Sequence, residues 1–177
     1  MGGQTREHTA EDRFAAVFGH LGAVAAYARR RGAGDAEAIA AEVMAIAWRR
    51  LADVPRDDAR PWLYATARNL VRAEYRRRLA TTADAGLDSI AAEAVPSLEL
   101  DPQLATALAD LSPFDREALL LVAWDDLTPA QAARSLGVKP TAFRVRLLRA
   151  RRRMRRALEA ATDEQRLLQA QPELEST

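Results

Sequence analysis

The chain has 177 residues, 49% of them apolar and only 6% aromatic, with no cysteine and a formal net charge of +1. A core of that make-up rests on Leu, Val, Ile and Ala, and the abundance of the strongest helix former with almost no β-branched alternation predicts an all-α fold of one medium or two small domains. The lack of thiols excludes a disulfide framework and thiolate metal sites, and no apolar run reaches the roughly 18 residues of a membrane span.

Met1 to Arg13 is too polar for a secretory signal, so the expected location is the cytoplasm, with no membrane insertion. A first helix is predicted from about Phe14 to Arg31, with Phe14, Val17, Phe18, Leu21 and Val24 at helical spacing and Gly32 and Gly34 to stop it. A second starts at Asp35, a natural N-cap, and would bury Ile39, Val43, Ile46 and Leu51 before Pro55 ends it. The third begins near Arg60 and Pro61, carries Leu63, Ala67, Leu70 and Val71 on its apolar side, and runs out at Leu79.

Ala80 to Asp101 has no sustained period. From Ala80 to Leu100 its only charges are Asp84, Asp88, Glu93 and Glu99, and Pro96 and Pro102 lie near its end. This composition reads as a flexible acidic linker. Four short helices are predicted after it. Gln103 to Leu111 is the first, and Ser112-Pro113 opens the second, with Phe114, Leu119, Leu120 and Val122 as its core candidates. Thr128-Pro129-Ala130-Gln131 is a stronger start, because the Thr hydroxyl and Gln131 can bond each other's backbone amides. Gly137 stands where a left-handed C-cap belongs, and Pro140 restarts a helix that can run to Leu158. Two helices around a short Gly-containing turn form a helix-turn-helix pattern.

The small net charge hides a strong asymmetry. From Arg144 to Arg156 there are eight arginines and no acid, and Lys139 is the sole lysine. At about 100° per residue, Phe143, Leu147, Ala150, Met154 and Leu158 fall in one stripe, the expected core side. Opposite lie Thr141, Val145, Leu148, Arg149 and Arg152, flanked by Arg144, Arg155 and Arg156. A merely solvated face would not normally carry Val145 and Leu148 among arginines. A helix reading the major groove would, since Arg forks bond guanine edges or phosphates and apolar groups meet thymine methyls.

The third helix repeats the theme, with Arg68, Arg72 and Arg76 four residues apart and Trp62, Tyr64 and Tyr75 among them. Aromatics interleaved with arginine suit unstacked single-stranded bases, while a core Trp62 beside merely exposed arginines accounts for the same pattern. Catalysis finds no support: His8 and His20 lie apart, without ligand spacing or a nucleophile, and Gly32-Ala-Gly34 is too short for a phosphate loop. No catalytic residue, metal or cofactor is expected.

The order of these pieces resembles the extracytoplasmic-function group of the sigma-70 family. Asp35-Ala-Glu37 through Glu42-Val43 to Ala47-Trp48-Arg49 is similar to the family's clamp-docking helix. Trp62-Leu63-Tyr64 with Ala67-Arg68-Asn69-Leu70 is similar to its segment that melts and reads the −10 element. Leu127-Thr128 to Gln131-Ala132-Ala133, then Leu136-Gly137-Val138, then Arg146-Leu147 and Arg149-Ala150-Arg151, is similar to its −35-reading helix-turn-helix.

The resemblance implies a promoter-melting domain at 12–79, a linker at 80–102 passing near the polymerase active site, a −35 domain at 103–158, and an acidic tail at 159–177 outside the motifs. It places Asn69 where the family contacts a flipped −10 base, with Trp62, Tyr64, Arg68, Arg72 and Arg76 on the same segment. Arg144, Val145, Leu148 and Arg149 take the base-reading positions, and Asp35, Glu37 and Glu42 fall in the polymerase-binding segment. The implied partners are core RNA polymerase (clamp and flap), promoter DNA and, as for many family members, an anti-sigma factor. Ala38 and Ala41 stand where the family usually has Asp and Gln, and Lys139-Pro140 and Ala142-Phe143 also depart from its pattern. The alternative is a polymerase-independent helix-turn-helix regulator, which leaves the tryptophan-bearing N-terminal motifs unexplained; a helical adaptor leaves both arginine faces unexplained.

Overall fold

The computed structural model describes residues 3–82 and 101–170, and among them every regular element is helical. In chain order these are α1 (Gly3–Phe18), α2 (Leu21–Arg30), α3 (Ala36–Arg49), α4 (Arg60–Thr82), α5 (Pro102–Ala109), α6 (Pro113–Ala123), α7 (Pro129–Leu136) and α8 (Pro140–Ala170). None of the described helices is long and apolar enough to cross a membrane.

The single helix expected from Phe14 to Arg31 is two helices, which corrects the sequence reading. At the break, Gly19 N still donates to Ala15 O (3.1 Å), but His20 N turns to Val17 O, three residues back (3.0 Å). Glycine in a helix interior is disfavoured by about 1 kcal/mol against Ala, so the chain bends there at little cost. The apolar spacing runs straight through the bend and gives no sign of it.

In the N-terminal unit α2 packs on both α3 and α4. Its buried Val24, Tyr27 and Ala28 meet Ile39, Ala40, Val43 and Met44 from α3 and Leu63, Tyr64 and Ala67 from α4. Asp35 caps α3 by accepting from Ala38 N at 2.8 Å. Gly34 lies so close to α4 that a Cβ there would meet the Arg78 guanidinium and Glu74 carboxylate, and its own N–H donates to Glu74 Oε1 at 3.1 Å.

In the C-terminal unit α8 packs across α5, α6 and α7. Asp101 caps α5. Arg116, 8% exposed, donates to the carbonyls of Leu108 (2.8 Å), Ala109 (2.9 Å) and Leu111 (3.2 Å). It thereby adds side-chain donors to carbonyls at and just past the end of α5, where helical partners run out. Asp126, between α6 and α7, has φ +50°, a left-handed conformation uncommon for a residue other than glycine. The units also pack on each other, α4 against α7.

Candidate nucleic-acid interface

The helix-turn-helix is assembled by local chemistry. Thr128 Oγ1 accepts from Gln131 N (3.3 Å), and Gln131 Oε1 accepts from Thr128 N (2.8 Å). These two bonds form the reciprocal cap expected of Thr-Pro-Ala-Gln. Gly137 ends α7 with φ +67° and ψ +31°, and Val138 N reaches back to Ala133 O at 3.0 Å. That left-handed residue turns the chain so that α8 starts at once.

On α8 the stripe Phe143, Leu147 and Ala150 is buried, and Met154 packs against the core. The opposite side presents Thr141, Arg144, Arg149 and Arg152 to solvent, with Val145 50% and Leu148 51% exposed. Two large apolar groups stand in water between guanidinium groups, an arrangement with no role in packing this unit. Two other arginines of the cluster do serve the unit itself. Arg153 pairs with Asp115 of α6 at 2.9 Å, and the Arg146 guanidinium lies 4.4 Å from the centre of the Phe114 ring. Charge counting alone did not separate these from the rest. α8 then continues unbroken to Ala170, so the tail's acids Glu159 and Asp163 lie along the rod beyond the arginines, and the backbone does not fold back over them.

On α4, Asn69, Arg72 and Arg76 are exposed and Arg68 is half-buried. Trp62 is half-buried and packs against the core, with the Arg50 guanidinium 6.0 Å from its ring centre. Tyr64, expected from the resemblance to belong to the −10 set, is instead a core residue: it is 1% exposed and stacks on Tyr27 with ring centres 4.8 Å apart and planes 13° from parallel. A tyrosine two residues past Trp62 turns about 200° round the helix, into the α2 side. Asp35, Glu37 and Glu42 are all exposed on α3; Asp35 is occupied as the cap and Glu37 pairs with Arg29.

A third charged group joins the two units. Asp125, 2% exposed, pairs with Arg31 at 2.8 Å and with Arg30, and its main-chain carbonyl accepts from Arg60. Glu117 of α6 accepts from Arg31 Nε at 2.9 Å and from the Tyr27 hydroxyl at 2.8 Å. Burial, followed by the Glu117 charge, pushes the Tyr27 phenol well above its ordinary range. The net effect on Arg31 is upward: the charges of Glu117, Tyr27 and Asp125 outweigh the burial that opposes its ionisation. The sequence reading named none of these residues as functional. Their partners lie 65 to 95 positions apart, beyond any local signal.

Comparison with known proteins bears on the C-terminal unit directly. Residues 102–154 match the family described as sigma-70, region 4. No curated protein sequence matches the chain. Among solved structures, the sigma factor RpoE bound to the anti-sigma factor NepR from Bartonella quintana aligns with a TM-score of 0.63 and 24% identity, covering 84% of this chain and 98% of that one. CnrH in complex with the cytosolic domain of CnrY aligns with a TM-score of 0.55 and 27% identity, covering 82% of this chain and 84% of that one. At 24% identity the first of these is a likeness of fold. Both alignments extend well beyond residues 102–154, to the architecture of the N-terminal unit as well.

Proposed function

We propose that this chain, a sigma-70-family factor of the extracytoplasmic-function type, directs core RNA polymerase to particular promoters by reading the −35 element with α8 and opening the −10 element with α4. The observation that carries the reading is the outer face of α8, where half-exposed Val145 and Leu148 stand among Arg144, Arg149 and Arg152. Those groups match what a major groove offers: guanine O6 and N7 for guanidinium forks, thymine methyls for the apolar pair.

The roles on α4 follow from its chemistry. Asn69 carries an amide that can both donate to and accept from an unstacked base edge. Half-exposed Trp62 offers a ring face for stacking, and Arg68, Arg72 and Arg76 are placed to track the phosphates of a single strand. Tyr64 is left out of this set because its ring is spent on Tyr27. Asp35, Glu37 and Glu42 form the acidic edge proposed to meet the polymerase clamp, and the helix-turn-helix unit would meet the flap. An anti-sigma factor is a proposed partner, as the matched RpoE structure contains one. The proposed place of action is the cytoplasm, and the proposed role is binding without catalysis.

The test is run-off transcription with purified core polymerase on fragmented genomic DNA. New transcripts from a limited set of starts, dependent on the added chain, are the expected result. A footprint formed by the chain alone, with no polymerase-dependent transcripts, would establish the polymerase-independent regulator instead.

A further inference from the structure

A cavity of about 130 Å³ lies where α2, α4 and α6 meet, walled by side chains from all three and by Gly32. It is far roomier than a single buried water needs, and close to the roughly 150 Å³ that admits a benzene ring. Its lining includes Arg72 and Arg78, both exposed, so its rim reaches the surface. A ring-sized molecule can enter it.

Two features define what kind of molecule that is. The first is charge. Six arginines line the cavity against two carboxylates, Glu74 and Glu117. Asp125 pairs with two of those arginines, Arg30 and Arg31, and with it counted, positive charge still exceeds negative by three. Such a surplus favours an anion, and guanidinium forks match phosphate oxygens. The second feature is a pair of orphaned atoms. Arg30 Nε and Glu74 Oε2 are buried and have no hydrogen-bond partner among the described residues, and both residues line this cavity. The other ends of these groups are engaged. Arg30 pairs with Asp125, and Glu74 Oε1 accepts from Gly34 N at 3.1 Å and from Arg78. A buried donor or acceptor left unmet costs free energy, the more so on a charged group. One orphan is a donor and the other an acceptor, so a molecule that satisfies both carries an acceptor and a donor. Water does so too, but it answers neither the surplus charge nor the ring-sized volume.

We propose that this cavity is a nucleotide-binding site, taking a base that presents a carbonyl beside a ring N–H, with its phosphate on the arginines. Guanine and uracil share that edge. The carbonyl accepts from Arg30, the ring N–H donates to Glu74, and Val71 and Leu120 supply apolar surface for the ring. Adenine lacks the carbonyl and cytosine lacks the ring N–H, so each leaves one orphan unpaired. The site is additional to the promoter-reading function and does not depend on it.

The experiment is calorimetric titration of the full chain with GMP, UMP, AMP, CMP and inorganic phosphate. GMP and UMP should bind at one site about tenfold more tightly than AMP, CMP or phosphate, because the wrong base strands a buried polar group. The ratio of GMP to UMP affinity then separates a purine from a pyrimidine ligand. In Glu74→Gln, Gly34 N–H and Arg78 hold the amide oxygen and leave its NH2 facing the ring N–H. The preference should shrink to within about threefold. Val71→Phe fills the cavity without changing its charge and should weaken GMP and UMP about tenfold. Far-UV circular dichroism and a thermal melt check the fold of both variants, and Glu74→Gln decides alone if Val71→Phe does not fold.

Equal affinity for all four nucleotides and phosphate would reduce the cavity to a patch of arginine charge and overturn the proposal. So would the lack of saturable binding at millimolar concentration, or a base preference that survives the substitutions in folded protein.

Discussion

The phenol hydroxyl of Tyr27 donates to Glu117 Oε1 at 2.8 Å across a junction between two helical units, ninety residues apart in the chain. The same ring carries the Arg31 guanidinium 3.6 Å from its centre on one side and stacks on Tyr64. One side chain thus serves the N-terminal core, the charge cluster and the contact between units.

The consequence is a pH dependence with a definite sign. Tyr27 is held protonated by burial and by the Glu117 and Asp125 charges, with Arg31 opposing. A group whose pKa is raised in the packed state stabilises it fully below the ordinary phenol value of about 10 and progressively less above it. The junction should therefore weaken as pH climbs past about 10, where an opened Tyr27 releases a proton that the closed form retains. Absorbance at 295 nm should show a late-ionising tyrosine that is lost in Tyr27→Phe. Energy transfer between fluorophores placed on α3 and α5 through Ala45→Cys and Thr106→Cys should fall over the same range, and in Tyr27→Phe this alkaline step should be absent.

Arg144→Ala and Arg149→Ala should each weaken binding to a cognate −35 duplex by about 1–3 kcal/mol, the range for a bidentate base contact, and the loss should be selective for the cognate sequence. Competition with scrambled duplex measures this. Equal weakening on both duplexes would assign these arginines to phosphates. By contrast, Arg153→Ala should leave specificity alone, because that guanidinium is committed to Asp115.

Asn69→Ala should spare polymerase binding and impair opening of the −10 region, since the truncation removes the only amide on the exposed face of α4 that can bond a flipped base. Permanganate reactivity of −10 thymines, read beside a thermal melt, checks it; normal opening would return Asn69 to the surface.

Within the C-terminal unit, Phe143→Ala should cost about 3–5 kcal/mol, the usual loss for a fully buried aromatic. Gly137→Ala should cost only about 1–2 kcal/mol, the strain of a left-handed residue with a Cβ, because nothing lies within 4 Å of where that carbon would sit. Urea denaturation of the two variants distinguishes packing from backbone strain.

Truncation after Leu158 should leave affinity for −35 duplex unchanged even at low salt. The backbone of α8 carries the tail onward to Ala170, away from Arg144 to Arg156. A gain in affinity that shrinks with added salt would show that the acids compete with phosphate after all.

What could be read in advance divides along physical lines. The turn at Thr128 and Gly137 was legible because capping and left-handed stops are settled within four residues. The two faces of α8 were legible because a long amphipathic helix repeats its signal many times. Tyr64 and the break at Gly19 were misread for one reason: periodicity reports spacing, while neighbours from other helices decide which aromatic is buried and which glycine bends. The arginines at 30, 31 and 60 carried no local signal at all, since their partners are brought to them by the docking of α7 on α4.

The segment between α6 and α7 places Asp125 by backbone geometry. Asp125 N bonds Leu120 O at 3.1 Å, Leu127 N bonds Leu121 O at 3.0 Å, and Asp126 takes its left-handed conformation between them. Surface connections ordinarily drift in length among homologues, since an added residue there disturbs little. Here one inserted or deleted residue would swing the Asp125 carboxylate away from Arg30 and Arg31 and shift the Thr128 cap together. Over evolutionary time this connection is expected to change its letters freely at Ala123, and at Asp126 only among Gly, Asn and Asp, which tolerate the left-handed region, while its length stays constant, and homologues that do vary its length should also have lost the acidic residue or its arginine partners.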